Sequence, residues 1–375
     1  MFGQQTGSRP GPAARIYRWL DDRLSIRQLV EYMSHKEVPL HRHSIFYYLG
    51  GITLFLFLVQ VGTGILLLMY YRPGVDSAYE SVRFIVSDVS FGWLIRSLHS
   101  WSANLMILTA FIHMFTVYFT RAYRKPRELT WLSGIGLLAL AMAFGFSGYL
   151  LPWNVLAFFA TKVGTGMAGA IPIIGDRLLV ILRNGEEVTG ATIGRFFGLH
   201  VAILPALFTS VLAVHLLLIQ RQGISEPVEW ANRKPEEKRF MKFFPHFIYR
   251  DLLVWLVALN VLALLAVIFP DGIGILHWPL GEKADAFAPP PSDIRPEWYF
   301  MFAFQALKLL PAHVLFVEGE LFGIVLFGLA GLLWTMVPFM DRAPAGDRGS
   351  RLITVAGMIV LLFMTFMTIL GYLVE

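Results

Sequence analysis

The sequence predicts an all-α membrane protein of seven transmembrane helices, a four-helix bundle followed by a three-helix module. Three observations carry this. Of the 375 residues 56% are hydrophobic and only 15% charged, with a mean hydropathy of +0.60; soluble domains carry about 25% charge. Uncharged stretches at 45–70, 97–120, 131–150, 196–220, 252–270, 321–340 and 352–374 each approach or exceed the roughly 20 residues that a ~30 Å hydrocarbon core requires. Basic residues cluster in alternate connections.

Residues 1–44 form a polar N-terminal segment with Arg9, Arg15, Arg18, Arg23, Arg27, Lys36 and Arg42. It lacks an apolar h-region, so no cleaved signal peptide is expected. After the second span come Arg121, Arg124, Lys125 and Arg127. After the fourth come Arg221, Arg233, Lys234, Lys238, Arg239, Lys242 and Arg250, and after the sixth Arg342, Arg348 and Arg351. The connection 271–318 is instead mixed, with Asp271, Glu282, Asp285, Asp293, Glu297 and Glu318. The positive-inside rule therefore puts the N-terminus in the cytoplasm and the C-terminus outside. The basic linker 221–250 separates a four-helix unit, 45–220, from a three-helix unit, 251–375. There is no internal repeat, and the net charge of +5 belongs to these loops rather than to a nucleic-acid surface.

Four histidines stand inside these spans. His99 and His113 are 14 residues apart on the second, His200 and His215 are 15 apart on the fourth. At ~1.5 Å and ~100° per residue, each pair keeps to one helix face and is separated by roughly 21–23 Å in depth. The second and fourth spans run parallel in this topology, so His99 matches His200 near the outer surface and His113 matches His215 near the cytoplasm. A single histidine in a membrane helix is as readily a helix–helix hydrogen bond. Two matched pairs read as axial ligands of two bis-histidine b-type haems.

The neighbouring spans echo the spacing. Gly50 and Gly64 lie 14 apart on the first, Gly134 and Gly148 14 apart on the third. Glycine is common in membrane helices for close backbone approach; here it suggests flat macrocycles pressed on bare backbone at two depths. Arg96, one turn before His99, suits either a haem propionate or a snorkelling place at the interface. On the outer loop, Pro296, Glu297, Trp298 and Tyr299 precede a stretch too short to span. Glu297 there could accept a proton from a bound hydroxyl, or be a solvated residue in an aromatic belt.

No cysteine is present, which excludes disulfides, thiolate metal sites, cysteine-bound iron–sulfur clusters and thioether-attached haem.

The runs Tyr47 to Thr53 (YYLGGIT), Phe91 to His99 (FGWLIRSLH), Lys125 to Trp131 (KPRELTW), Gly166 to Gly175 and Gln222 to Ser225 resemble cytochrome b6. Pro296-Glu297-Trp298-Tyr299 is similar to a motif of subunit IV of the b6f complex and of cytochrome b in bc1 complexes. Together the resemblance spans about residues 17–373. It implies the core of a quinol:cytochrome c, or plastocyanin-type, oxidoreductase. Quinol would be oxidised outside, between 152–175 and the Pro-Glu-Trp-Tyr loop, with Glu297 accepting a proton and Pro296, Trp298 and Tyr299 shaping the site. One electron would go to a Rieske iron–sulfur protein. The other would cross by the two b haems to an inner quinone site, contributing to proton motive force. The resemblance also implies a c-type cytochrome partner, a homodimeric complex and, for this chain, a bacterial cytoplasmic membrane.

Three departures stand out. Both halves are fused in one chain, yet an eighth span is absent. Tyr48 replaces the cysteine that attaches an extra inner haem in cytochrome b6. Gln220 falls where b6 has an arginine, with Arg221 beside it. For the inner quinone site Arg221, Asp22 and His35 are candidates, with Asp21, Arg23, His41 and His43 on the same side.

Transferring an electron against ~100 mV costs about 2.3 kcal/mol if it crosses the whole field. A difference in haem potential, set by burial and hydrogen bonds to the ligands, can supply that. A rival reading is a di-haem anchor passing electrons between a dehydrogenase and quinone without bifurcation. It needs neither the Pro-Glu-Trp-Tyr loop nor the long 150–195 connection. A third is a transporter whose histidines relay protons.

Overall fold

The computed structural model describes residues 11–230, 233–291, 294–342 and 348–374. Arg9, Asp293 and the side chain of Arg348 lie outside them. Two amphipathic helices, α1 (Pro12–Leu24) and α2 (Ile26–Ser34), come first, with Ser25 in the left-handed region between them. A short strand, Glu37–Pro39, pairs antiparallel with Phe240–Lys242 and ties the N-terminal segment to the linker before the fifth span.

The helices then follow in order: α3 (Tyr48–Leu68), α4 (Ala78–Ser87), α5 (Gly92–Phe119), α6 (Glu128–Leu150), α7 (Val155–Gly169), α8 (Gly175–Arg183), α9 (Gly190–Gly198) and α10 (Leu204–Gln222). A π turn, Leu199–Ile203, joins α9 to α10 and carries His200. Beyond it lie α11 (Ile248–Ile268), α12 (Trp298–Lys308), α13 (Gly319–Thr335), α14 (Val337–Met340) and α15 (Arg348–Leu373). Two further strand pairs are two-residue hairpins in the loops after α11 and α12.

Among the described residues, six helices are long and apolar enough to cross a membrane: Ser44–Leu68, Gly92–Phe119, Glu128–Leu150, Gly190–Gln222, Phe243–Ile268 and Gly349–Leu373. The stretch expected as a sixth span, 321–340, is broken. Its helix α13 has 17 residues and stops at Met336, and Pro338 then sits in the first turn of α14, where its missing N–H costs nothing. At ~1.5 Å per residue α13 reaches about 26 Å, just short of the ~30 Å core.

The main core joins Leu56 and Phe57 of α3, Trp101, Met106 and Ile107 of α5, Ala141 of α6, Phe208 of α10, Leu262 and Ala266 of α11 and Tyr299 of α12. Thus α11, assigned by sequence to the three-helix unit, packs on the four-helix unit. Ser97 donates to the Ala266 carbonyl at 2.9 Å and Trp101 Nε1 to the Phe269 carbonyl at 2.8 Å. Hydroxyl and indole donors on α5 are satisfied by backbone acceptors at the end of α11, and this fixes the depth of α11 against α5.

Candidate functional site

The imidazoles of His99 and His200 face each other with ring centroids 6.4 Å apart. Two metal–nitrogen bonds of about 2 Å and two half-rings of roughly 1.1 Å sum to about 6.2 Å, so the gap suits one metal between them. His113 and His215 line a common cavity of 1420 Å³ that also reaches Gly50, Gly134, Lys36, His41, Tyr47, Gln220, Arg221 and Asp251. Among the described residues, no three histidine or carboxylate side chains converge as a bare metal ion would need. The His113–His215 pair and its wide cavity fit an ion carried in a flat macrocycle.

The four glycines face these rings. A Cβ at Gly64 would stand 3.4 Å from His99 Cε1, at Gly148 2.7 Å from His200 Cε1, at Gly50 3.3 Å from His113 Cε1 and at Gly134 3.3 Å from His215 Cε1. The bare backbone therefore makes room for the imidazoles themselves.

Hydroxyls on the same helices hold three of the rings. Nδ1 lies 2.9 Å from Thr63 Oγ1 in His99, 3.0 Å from Ser147 Oγ in His200 and 2.9 Å from Ser133 Oγ in His215. With Nδ1 engaged, Nε2 is the nitrogen left for a metal.

Glu297 stands at the N-cap of α12 and Tyr299, the next residue but one, is 4% exposed. A Cβ on Gly145 would collide with the Tyr299 hydroxyl, one turn of α6 before the Gly148 that faces His200. The Pro296–Tyr299 segment and the His99–His200 pair therefore share one stretch of α6. Burial pushes the Glu297 carboxyl up to about 7. Tyr149, Tyr299 and Tyr372 lie within electrostatic reach of it. Trp298 Nε1 donates to Asn104 Oδ1 at 2.9 Å, fixing the start of α12 against α5. An apolar cavity of 250 Å³ lies farther along α12, lined by Met167, Ala168, Ile171, Ala303, Leu307 and Phe327, among others. Helix α7, which supplies part of that wall, begins at Asn154, whose side chain accepts from the Ala157 N–H.

Two expectations meet different surroundings. Arg96 donates to the Trp278 carbonyl at 2.9 Å and pairs with Asp271 at 3.3 Å, so its guanidinium is engaged by the loop after α11. Asp22 and His35 are exposed and are not in the cavity wall, which includes Arg221, His41 and His43. The helical turn at Glu31 takes up His35, whose Nδ1 lies 2.7 Å from the Glu31 carbonyl.

Asp251 was missed by sequence reasoning. It stands on α11 in the cavity wall, its Oδ1 buried without a hydrogen-bond partner among the described residues. A carboxylate at the very start of the unit 251–375, just before the apolar stretch 252–270, was the available signal. Lys36 Nζ, also in the wall, donates to Gln220 Oε1 at 2.7 Å.

Comparison with known proteins is consistent along the chain. Residues 34–223 match the family model described as cytochrome b/b6/petB, and residues 283–375 the model described as cytochrome b(C-terminal)/b6/petD. The chain is 46% identical over 351 residues to the cytochrome bc complex cytochrome b subunit of Chlorobaculum thiosulfatiphilum, covering 93% of this chain and 79% of that one. It is 47% identical over 215 residues to cytochrome b6 of Synechococcus sp. (strain JA-3-3Ab), covering 57% of this chain and 100% of the relative. A solved hyperthermophilic respiratory Complex III superposes with a TM-score of 0.82 at 30% identity, covering 94% of this chain and 90% of that one.

Proposed function

Since the chain belongs to the cytochrome b/b6 family, we propose that it is the cytochrome b subunit of a bc/b6f-type quinol oxidoreductase in a bacterial cytoplasmic membrane. Quinol is oxidised on the outer side, and one electron of each pair crosses the membrane to a quinone on the inner side. The shared stretch of α6 carries this reading: Gly145 meets Tyr299 and Gly148 meets His200, so a proton acceptor and a bis-histidine site are neighbours.

His99 with His200 would hold an outer haem b, and His113 with His215 an inner one. A bis-histidine haem supplies one-electron exchange without binding substrate. Glu297, its carboxyl near 7 through burial, can take a proton from a quinol hydroxyl at neutral pH. Pro296 and Trp298 hold the loop, and Tyr299 walls the site. On the inner side Asp251 and Arg221 face the large cavity, where a carboxyl can deliver a proton and an arginine can bind a quinone oxygen. The absence of cysteine leaves no thioether-attached haem.

The wider assignment is one of seven spans with a cytoplasmic N-terminus and an outer C-terminus. It divides into a di-haem unit at 45–220 and a three-helix unit at 251–375. A Rieske iron–sulfur protein and a c-type cytochrome are its partners, in a homodimeric complex.

A pyridine haemochrome spectrum of the purified complex, with a haem-stained denaturing gel of this subunit, tests the reading. Two haems b per chain and none retained after denaturation are expected. A chain without haem would refute it.

A further inference from the structure

The hydroxyls that hold the imidazoles follow a rule with one exception. Each lies one residue before a ring-facing glycine: Thr63 before Gly64, Ser133 before Gly134, Ser147 before Gly148. At the fourth glycine, Gly50, the preceding residue is Leu49. Correspondingly, His113 Nδ1 is buried without a hydrogen-bond partner among the described residues.

Each hydroxyl has a backbone acceptor for its own proton, and the Phe144 and Thr130 carbonyls also accept from His200 and His215. Thr63 Oγ1 donates its proton to the Val59 carbonyl at 2.7 Å, Ser133 to the Thr130 carbonyl at 3.0 Å and Ser147 to the Phe144 carbonyl at 3.1 Å. A hydroxyl has one proton, so toward the imidazole each is an acceptor, and Nδ1–H is the donor. Donation from Nδ1–H raises the electron density at Nε2 and makes the imidazole a stronger ligand. A stronger donor favours oxidised iron and lowers the potential of the site.

We propose that Leu49 sets the two haem sites apart: the outer site has both imidazoles strengthened by hydroxyls, the inner site only one, and the inner potential is thereby raised above the outer. This rests on the haem assignment made above and assigns Leu49 and Thr63 as positioning residues acting through His113 and His99. The polarity is the useful one, since it favours transfer from the outer to the inner site against the membrane field.

The test is a redox titration of the b bands in the intact complex carrying Leu49→Thr or, reciprocally, Thr63→Val, which keeps the side-chain shape and removes the acceptor. Leu49→Thr should lower the inner midpoint and leave the outer one in place. Thr63→Val should raise the outer midpoint alone, each change being on the order of tenfold in the redox equilibrium, about 59 mV for one electron. Leu49→Ser gives a smaller side chain should threonine disturb packing. Two haems titrating at wild-type midpoints in all three variants would overturn the inference and leave the haem assignment standing. Absence of haem from the unsubstituted complex would overturn both.

Discussion

Arg121 and Asp341, 220 residues apart, form an ion pair of 2.8 Å in which the carboxylate is 0% exposed. Arg124 adds contacts of 2.5 and 2.9 Å and Tyr123 donates at 2.6 Å, so one carboxylate gathers the loop between α5 and α6. Arg121 also reaches Thr354 of α15 at 3.0 Å. The cluster joins the halves that match two separate family models.

Asp341→Asn should therefore destabilise the fold. Removing one partner leaves buried guanidinium charge uncompensated, at a cost of about 3 kcal/mol. Thermal loss of the haem spectrum, measured in the purified complex, should move to lower temperature. An unchanged transition would show that the cluster contributes nothing net.

The same cluster makes a pH prediction. Burial raises the Asp341 carboxyl, but the bonds from Arg124 and Tyr123 and the charges of both arginines outweigh it and hold the group below its ordinary 3.8. A depressed carboxyl stabilises the fold fully above the ordinary value and loses that contribution as pH falls through the folded one. The wild-type complex should lose stability below about pH 4, and Asp341→Asn should lose less over the same range.

Glu297→Gln should slow quinol oxidation by on the order of 10²-fold or more, the usual contribution of a general base. With its carboxyl near 7, the wild-type rate should rise with pH through that value as Glu297 becomes able to accept a proton. A pH–rate profile of quinol:cytochrome c reduction checks both. A substituted complex that keeps the wild-type profile would remove Glu297 from the chemistry.

Gly148→Ala should damage the outer site more than Gly64→Ala. The new Cβ meets His200 Cε1 at 2.7 Å in the first and His99 Cε1 at 3.4 Å in the second. Only the first forces a ring to move, a strain of about 1–3 kcal/mol. Haem content and the α-band position of the two variants report the difference.

Asp251→Asn should slow quinone reduction on the inner side by on the order of 10²-fold while leaving haem content unchanged. Re-oxidation of the b bands after a single turnover is the measurement. Unaltered re-oxidation would make the buried carboxylate structural.

Much of this was legible in the chain. Apolar runs that must satisfy every backbone group internally can only be helices, so α3, α5, α6, α10, α11 and α15 followed from hydropathy. The spacing of His99 with His113 and of His200 with His215 put two rings on each helix face, because helix geometry depends on nothing distant. The same local logic did not reach α7 and α8 as a helical pair, nor the break at Met336. Short helices there depend on packing and caps such as Asn154 rather than on length.

What lay beyond the sequence is which side chains share a space. Arg96 carries no sign in the sequence of what it bonds, and only the loop after α11 folding back over α5 brings Asp271 and Trp278 to it. Asp22 and His35 share a polar segment with His41, yet the pairing of residues 37–39 with 240–242 brings His41 to the cavity and leaves the other two outside. Asp251 became a cavity residue only when α11 packed on α3. Spacing along one helix is a property of the chain, whereas partners across helices depend on rotation and depth, which are set by many distant contacts at once.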